Sequence, residues 1–94
     1  MKDEIQRVEL VIRGRVQGVW YRASARSAAE SRGLVGWVKN EPDGSVRAVA
    51  EGPRQALEDC IAWCHKGPPA ARVDSVEANW SAPAGEFRSF DVRR

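Results

Sequence analysis

RVELVIRGRVQGVWYRASARSAAESRG, residues 7–33, reads as a strand, a glycine-bearing loop and a helix in unbroken succession. From Arg7 to Arg13, Val8, Leu10 and Ile12 fall on one side and Arg7, Glu9, Val11 and Arg13 on the other. That two-residue period is the signature of a half-buried strand. Gly14 to Tyr21 breaks the alternation, and Ala25, Ala28 and Ala29 then recur at helical spacing as far as Gly33, a suitable C-terminal stop. An alanine stripe lets a helix approach a sheet closely, although each alanine buries less apolar surface than leucine would.

Working outward, Leu34 to Asn40 reads as a second strand and Ser45 to Glu51 as a third, joined as a hairpin by the turn residues Glu41-Pro42-Asp43-Gly44. Pro53 suits the first turn of a second helix with the apolar stripe Ala56, Leu57, Cys60, Ile61 and Cys64, stopped by Gly67-Pro68-Pro69. Arg72 to Trp80 gives a fourth strand, Ser81 to Gly85 a turn-rich connection, and Phe87 to Val92 a short last strand. This order predicts an α+β fold: a ferredoxin-like βαββαβ sandwich, with an antiparallel sheet, two helices on one face and a short extra terminal strand. A chain of 94 residues leaves room for one hydrophobic core, so residues 1–94 are expected to form a single domain. The arrangement hosts enzymes, metal binders, RNA binders and sensors alike, so the site must decide the function.

Composition removes several classes. Hydrophobic residues at 43% and charged residues at 30% suit a globule rather than a disordered or fibrous chain. No run approaches the roughly 20 apolar residues of a membrane span, and Met1-Lys2-Asp3-Glu4 lacks the apolar core of a secretory leader, so a cytoplasmic protein with no membrane partner is expected. The net charge of +2 comes from 15 basic and 13 acidic residues of interspersed sign, a surface that recruits no polyanion. Arg13, Arg15 and Arg22 are the exception, three guanidinium groups in one short segment that fits a small anion. Cys60 and Cys64, four apart on one helix face, fit a core role better than a disulfide. With His65 they still fall one ligand short of tetrahedral zinc, so no metal is expected.

The loop from Gly14 to Arg22 carries the chemistry. Backbone N–H groups converging between a strand and the positive end of a helix bind phosphate oxygens without a metal. Gly18 permits a sharp turn and close approach of the anion, and Arg22 adds a permanently charged fork of donors. The spacing is neither a Walker loop nor a dinucleotide fingerprint. Taken alone, it reads better as two glycines shaping a turn and Arg22 in a surface ion pair.

Two longer strings sharpen the reading. Gly14 to Arg22 has the form G-R-V-Q-G-V-x-aromatic-R, and Gly36 to Val46 the form G-W-V-x-N-x-x-D-G-x-V. Together with the length, the element order and the closing Phe90-x-Val92, they make nearly the whole chain resemble the acylphosphatase family. The resemblance implies hydrolysis of the carboxyl–phosphate bond of acyl phosphates. It implies that Arg22 binds the phosphate, that the amides of Arg15, Val16, Gln17, Gly18, Val19, Trp20 and Tyr21 form its cradle, and that Asn40 orients the attacking water. It further implies a monomer with a small-molecule acyl phosphate as its partner, no cofactor and no nucleic acid. Trp20 stands at the variable position, bulkier than the glycine often found there.

An acyl phosphate loses a carboxylate readily, so positioning and charge stabilisation suffice and direct attack by water is expected. Cys60, Cys64 and His65 belong to the second helix and its end, and Ser24 and Ser27 have no base beside them, so a covalent route lacks a nucleophile. Of the four tryptophans, Trp37 and Trp80 are expected in core or sheet-edge positions, Trp63 falls off its helix stripe, and Trp20 belongs to the loop. On the third strand, Val46, Arg47, Ala48 and Val49 stand where an RNA-stacking surface would carry aromatics. Two alternatives stay open at this level: a non-catalytic ferredoxin-like module that binds RNA or a partner, and an acyl phosphate carried on another protein as the substrate.

Overall fold

A computed structural model describes residues 4–94. Its elements are β1 (Ile5–Arg15), α1 (Tyr21–Ser31), β2 (Val35–Asn40), β3 (Val46–Pro53), α2 (Arg54–Lys66), β4 (Arg72–Ser81) and β5 (Phe90–Arg93), with the sheet ordered β4-β1-β3-β2-β5. The first four strands pair antiparallel, and β5 adds to the edge of β2 in parallel, with Gly36 opposite Phe90 and Val38 opposite Val92. This is the expected ferredoxin-like α+β arrangement with its extra terminal strand. No helix among the described residues is long and apolar enough to cross a membrane.

Alternation along β1 decides which face of the sheet is covered. Val8, Leu10 and Ile12 lie opposite Ala50, Ala48 and Val46 of β3, and all six are buried under the helices in one cluster with Val38, Ala25, Ala29, Leu57 and Cys64. Full burial of a side chain such as Leu57 contributes about 2 kcal/mol. α1 lies over β2 and β5, and α2 over β4, β3 and β1. The α2 stripe buries Leu57, Cys60 and Cys64 as expected, and Trp63, off that stripe, is half-buried against the ring of Tyr21 at 5.5 Å. Trp37 and Trp80 are also half-buried, each under a guanidinium, of Arg93 at 4.9 Å and of Arg54 at 3.8 Å.

Most element boundaries differ from the sequence reading by a few residues at most, and three of the differences bear on the fold. β1 runs on through Gly14 and Arg15, because a register shift against β4 between Arg13 and Gly14 absorbs the irregular residue and lets pairing resume. Gly14, at φ 134°, is needed there, since a Cβ would stand 2.1 Å from the carbonyl oxygen of Arg72. Pro53 ends β3 and caps α2 from outside rather than sitting in its first turn. The last strand begins at Phe90 rather than Phe87, whose ring lies instead beneath Arg7 at 5.7 Å.

The segment between β4 and β5 is held by one buried carboxylate. Glu51, 3% exposed, accepts from the backbone N–H of Ala84 at 2.8 Å and of Gly85 at 3.1 Å, and from Arg7 at 3.2 Å. Burial pushes this carboxyl up, but the two amides and the guanidinium outweigh it and hold the group below the ordinary glutamate value of 4.5. A carboxyl lowered in the folded state stabilises above its unfolded value, and that stability is lost as pH falls through the folded value. Urea midpoints should therefore fall as pH drops below 4.5. Glu51→Gln should cost about 1–3 kcal/mol at neutral pH and flatten that acid limb; an unchanged limb in the variant would remove Glu51 from this role.

Candidate functional site

Residues 16–20 carry the chain from the end of β1 to the start of α1. Their side chains point two ways. Val16, Val19 and then Tyr21 are buried at 1%, 7% and 1%, whereas Gly18 and Trp20 stay exposed. Gly18 turns the chain at φ 74°, with open space where a side chain would stand, so conformation rather than crowding calls for glycine. The Tyr21 hydroxyl donates to the carbonyl of Cys64 at 2.8 Å. This satisfies one of the last carbonyls of α2 and fastens the start of α1 to the end of its neighbour. Burial, reinforced by Cys64, keeps this phenol protonated well above its usual range.

Gln17 ties the loop to the hairpin. Its side-chain amide donates to the carbonyls of Glu41 at 2.8 Å and Ser45 at 2.9 Å. Within that turn, Asp43 accepts from the N–H of Ser45 at 2.9 Å and from its hydroxyl at 2.6 Å, which hold the Asp43 carboxyl below its ordinary value. Asn40, the last residue of β2 and the one before this turn, is thereby fixed relative to the loop.

The resulting pocket has a volume of about 360 Å³. It is lined by Val16, Gly18 and Trp20 of the loop, by Tyr21, Arg22 and Ala23 of α1, by Asn40 of β2 and by Val92 of β5. Among the described residues, none of the backbone N–H groups from Val16 to Ala23 has an acceptor; the first α1 bond runs from Ser24 to the carbonyl of Trp20. One Arg22 nitrogen donates to the carbonyl of Arg93 at 3.0 Å, and among the described residues no carboxylate pairs with its guanidinium. Among the described residues, two buried side-chain oxygens lack a hydrogen-bond partner. One belongs to Glu41, which still has the Lys39 ammonium at 3.6 Å. The other is Oδ1 of Asn40, an unmatched acceptor on a pocket-lining residue. Amides without acceptors, a guanidinium with donors to spare and one unmatched acceptor, on residues that line one pocket, can hold an oxyanion and orient a water.

Arg22 and Asn40 line one pocket, together with Val16, Gly18, Trp20 and Tyr21. Arg15, Gln17 and Val19, expected to contribute backbone amides, are not among the residues that line the cavity. Arg13 points to the opposite face of the sheet and pairs with Glu77, and Arg15 ends β1 opposite Arg72, so one arginine of the expected three reaches the pocket. The Gln17 and Val19 side chains brace the loop rather than line the cavity. Val92 was missed, since only the parallel addition of β5 beside β2 brings it there.

Trp20 is the one non-glycine residue among those described with positive φ, at 66°, and it caps α1 without a side-chain hydrogen bond. Such a conformation costs a bulky residue about 1–2 kcal/mol. At 81% exposure the ring recovers little of that by packing. Trp20→Gly should therefore raise stability by about 1 kcal/mol, read as a higher urea midpoint with unchanged slope; a lowered midpoint would mean that the ring packs in solution.

The acylphosphatase family model matches residues 8–92. The chain is 50% identical to an acylphosphatase of Methylococcus capsulatus over 90 residues, covering 96% of this chain and 98% of the relative. It is likewise 50% identical to one of Anaeromyxobacter dehalogenans over 93 residues, 99% of both chains. Among solved structures, the acylphosphatase of Bacillus subtilis superposes with a TM-score of 0.92 at 32% identity, covering 95% of this chain and 99% of that one.

Proposed function

The chain belongs to the acylphosphatase family, and we propose that it hydrolyses acyl phosphates by direct attack of water on phosphorus. Arg22 and the amides of the 15–21 loop hold the phosphoryl group, and Asn40 orients the water. The observation that carries this reading is the juxtaposition, in one pocket, of acceptor-free amides with an unmatched buried Oδ1 of Asn40.

The phosphoryl oxygens take the place of the acceptors that the amides of Val16 to Ala23 lack, at the positive end of α1. The free donors of Arg22 neutralise the charge that spreads over the equatorial oxygens as the reaction proceeds. These groups are already in place, so no reorganisation accompanies charge development. Water donates one hydrogen to Oδ1 of Asn40, which turns a lone pair of the water toward phosphorus. The water oxygen bonds to phosphorus as the bridging oxygen–phosphorus bond breaks, the bonding pair leaves with the carboxylate, and the surplus proton passes to solvent. A carboxylate with an ordinary pKa of about 4 needs no general acid to depart.

The same reading includes a monomer acting without a metal or cofactor. It places the chain in the cytoplasm, in keeping with two free, buried cysteines. Substitution separates the two roles. Arg22→Ala should weaken inorganic-phosphate binding and lower kcat/KM for benzoyl phosphate by about 10²–10³-fold, whereas Asn40→Ala should lower kcat by about 10²-fold with phosphate affinity kept. Excess chelator should leave wild-type turnover unchanged. Normal turnover by Asn40→Ala would overturn the water-positioning role, and loss of activity with chelator would overturn metal independence.

A further inference from the structure

Among the described residues the large apolar side chains that stand exposed are Ile5 at 52%, Trp20 at 81% and Val92 at 38%. Two of these three line the same pocket. Large exposed apolar groups gathered at a concave site mark a contact surface, whereas scattered ones need no explanation. The pocket's polar side chains are those of Tyr21, Arg22 and Asn40, and Tyr21 spends its hydroxyl on Cys64. Its volume of about 360 Å³ falls within the roughly 300–1,000 Å³ of cavities that enclose organic ligands, so the phosphoryl group leaves part of it unfilled.

Trp20 also has no local reason to be tryptophan. Its backbone is left-handed at φ 66°, it makes no capping bond, and its ring is almost free of protein contact. Glycine or asparagine suits that backbone better. A position where a local rule is broken without a structural return is where function is sought.

We infer that Trp20 and Val92 form a seat for the acyl group, which makes the enzyme selective for acyl phosphates with an aromatic or bulky apolar acyl portion over short ones. The inference deepens the hydrolytic reading and rests on it for the position of the phosphoryl group. With phosphorus held over the start of α1, the bridging oxygen points the acyl carbon away from the amides and toward the open, apolar side. There the indole face meets a flat acyl group by stacking, and Val92 contacts it from β5. Contact of this kind acts on the substrate in the ground and transition states alike, so it appears mainly in KM.

The test compares benzoyl phosphate with acetyl phosphate as substrates of the wild type, Trp20→Gly and Trp20→Phe. The ratio of kcat/KM for benzoyl over acetyl phosphate should fall about five- to tenfold in Trp20→Gly, chiefly through KM, and recover most of its value in Trp20→Phe. Equal change for both substrates, or none, overturns the acyl seat. Calorimetry with the non-hydrolysable benzoylphosphonate and acetylphosphonate separates this claim from the catalytic one. A preference for benzoylphosphonate that vanishes in Trp20→Gly upholds the seat, even where the wild type turns over neither acyl phosphate and the hydrolytic reading falls. Equal affinity of the wild type for the two phosphonates sinks the seat whatever the kinetics show.

Discussion

A row of backbone N–H groups, from Val16 to Ala23, without acceptors among the described residues is the constraint around which the pocket is arranged. Unpaired amides are costly if buried and tolerable if they face water or a ligand, so the chain must keep this stretch open on one side. It must equally hold the stretch still, since mobile amides preorganise nothing. Both demands are met by side chains. Val16, Val19 and Tyr21 reach down into the core, Tyr21 closes onto the carbonyl of Cys64, and Gln17 reaches sideways to the carbonyls of Glu41 and Ser45. The anchoring contacts are made by side chains, and among the described residues the amides of the same stretch have no acceptor.

The rest of the sheet brings the remaining parts to that row. β2 ends at Asn40, opposite Val46 at the start of β3, and β5 adds beside β2 so that Val92 joins the rim and the carbonyl of Arg93 receives one Arg22 nitrogen. β5 in turn depends on the segment that leads to it, which Glu51 grips through Ala84 and Gly85. A buried carboxylate on β3 thus helps determine where one wall of the pocket stands. Among the described residues Arg22 is engaged by that single backbone carbonyl and by no carboxylate, which leaves it donors to spare.

The parts legible in the sequence were those governed by local rules. Alternation along Arg7 to Arg13, the alanine stripe of α1 and the turn residues Glu41 to Gly44 each announce their element by period or by turn chemistry, and element order then supplied the topology. Arg22 and Asn40 stood out because each lies in a long, specific string of residues, and the fold brings both to one pocket. What escaped depends on pairing across the chain. The bulge that keeps Gly14 and Arg15 in β1 exists only against β4, so alternation alone ended the strand too early. Arg13 keeps the face that alternation along β1 assigns it and pairs there with Glu77, so its nearness in sequence to Arg22 does not bring it to the pocket. The bracing role of Gln17 spans 24 and 28 residues, and Val92 reaches the pocket through a parallel pairing that no local pattern signals. Trp63 lies off the apolar stripe of α2 and is half-buried because Tyr21, on another helix, provides the surface it meets.

The central claim is that the free amides at the start of α1, with Arg22 and Asn40, are where a phosphate is held. Its most direct test is a titration of the labelled protein with inorganic phosphate, followed by proton–nitrogen correlation spectra. The account predicts saturable shifts concentrated in the amides of Val16 to Ala23, the guanidinium of Arg22 and the side-chain amide of Asn40. Shifts centred on another part of the surface, or none in these groups at saturating phosphate, would contradict it.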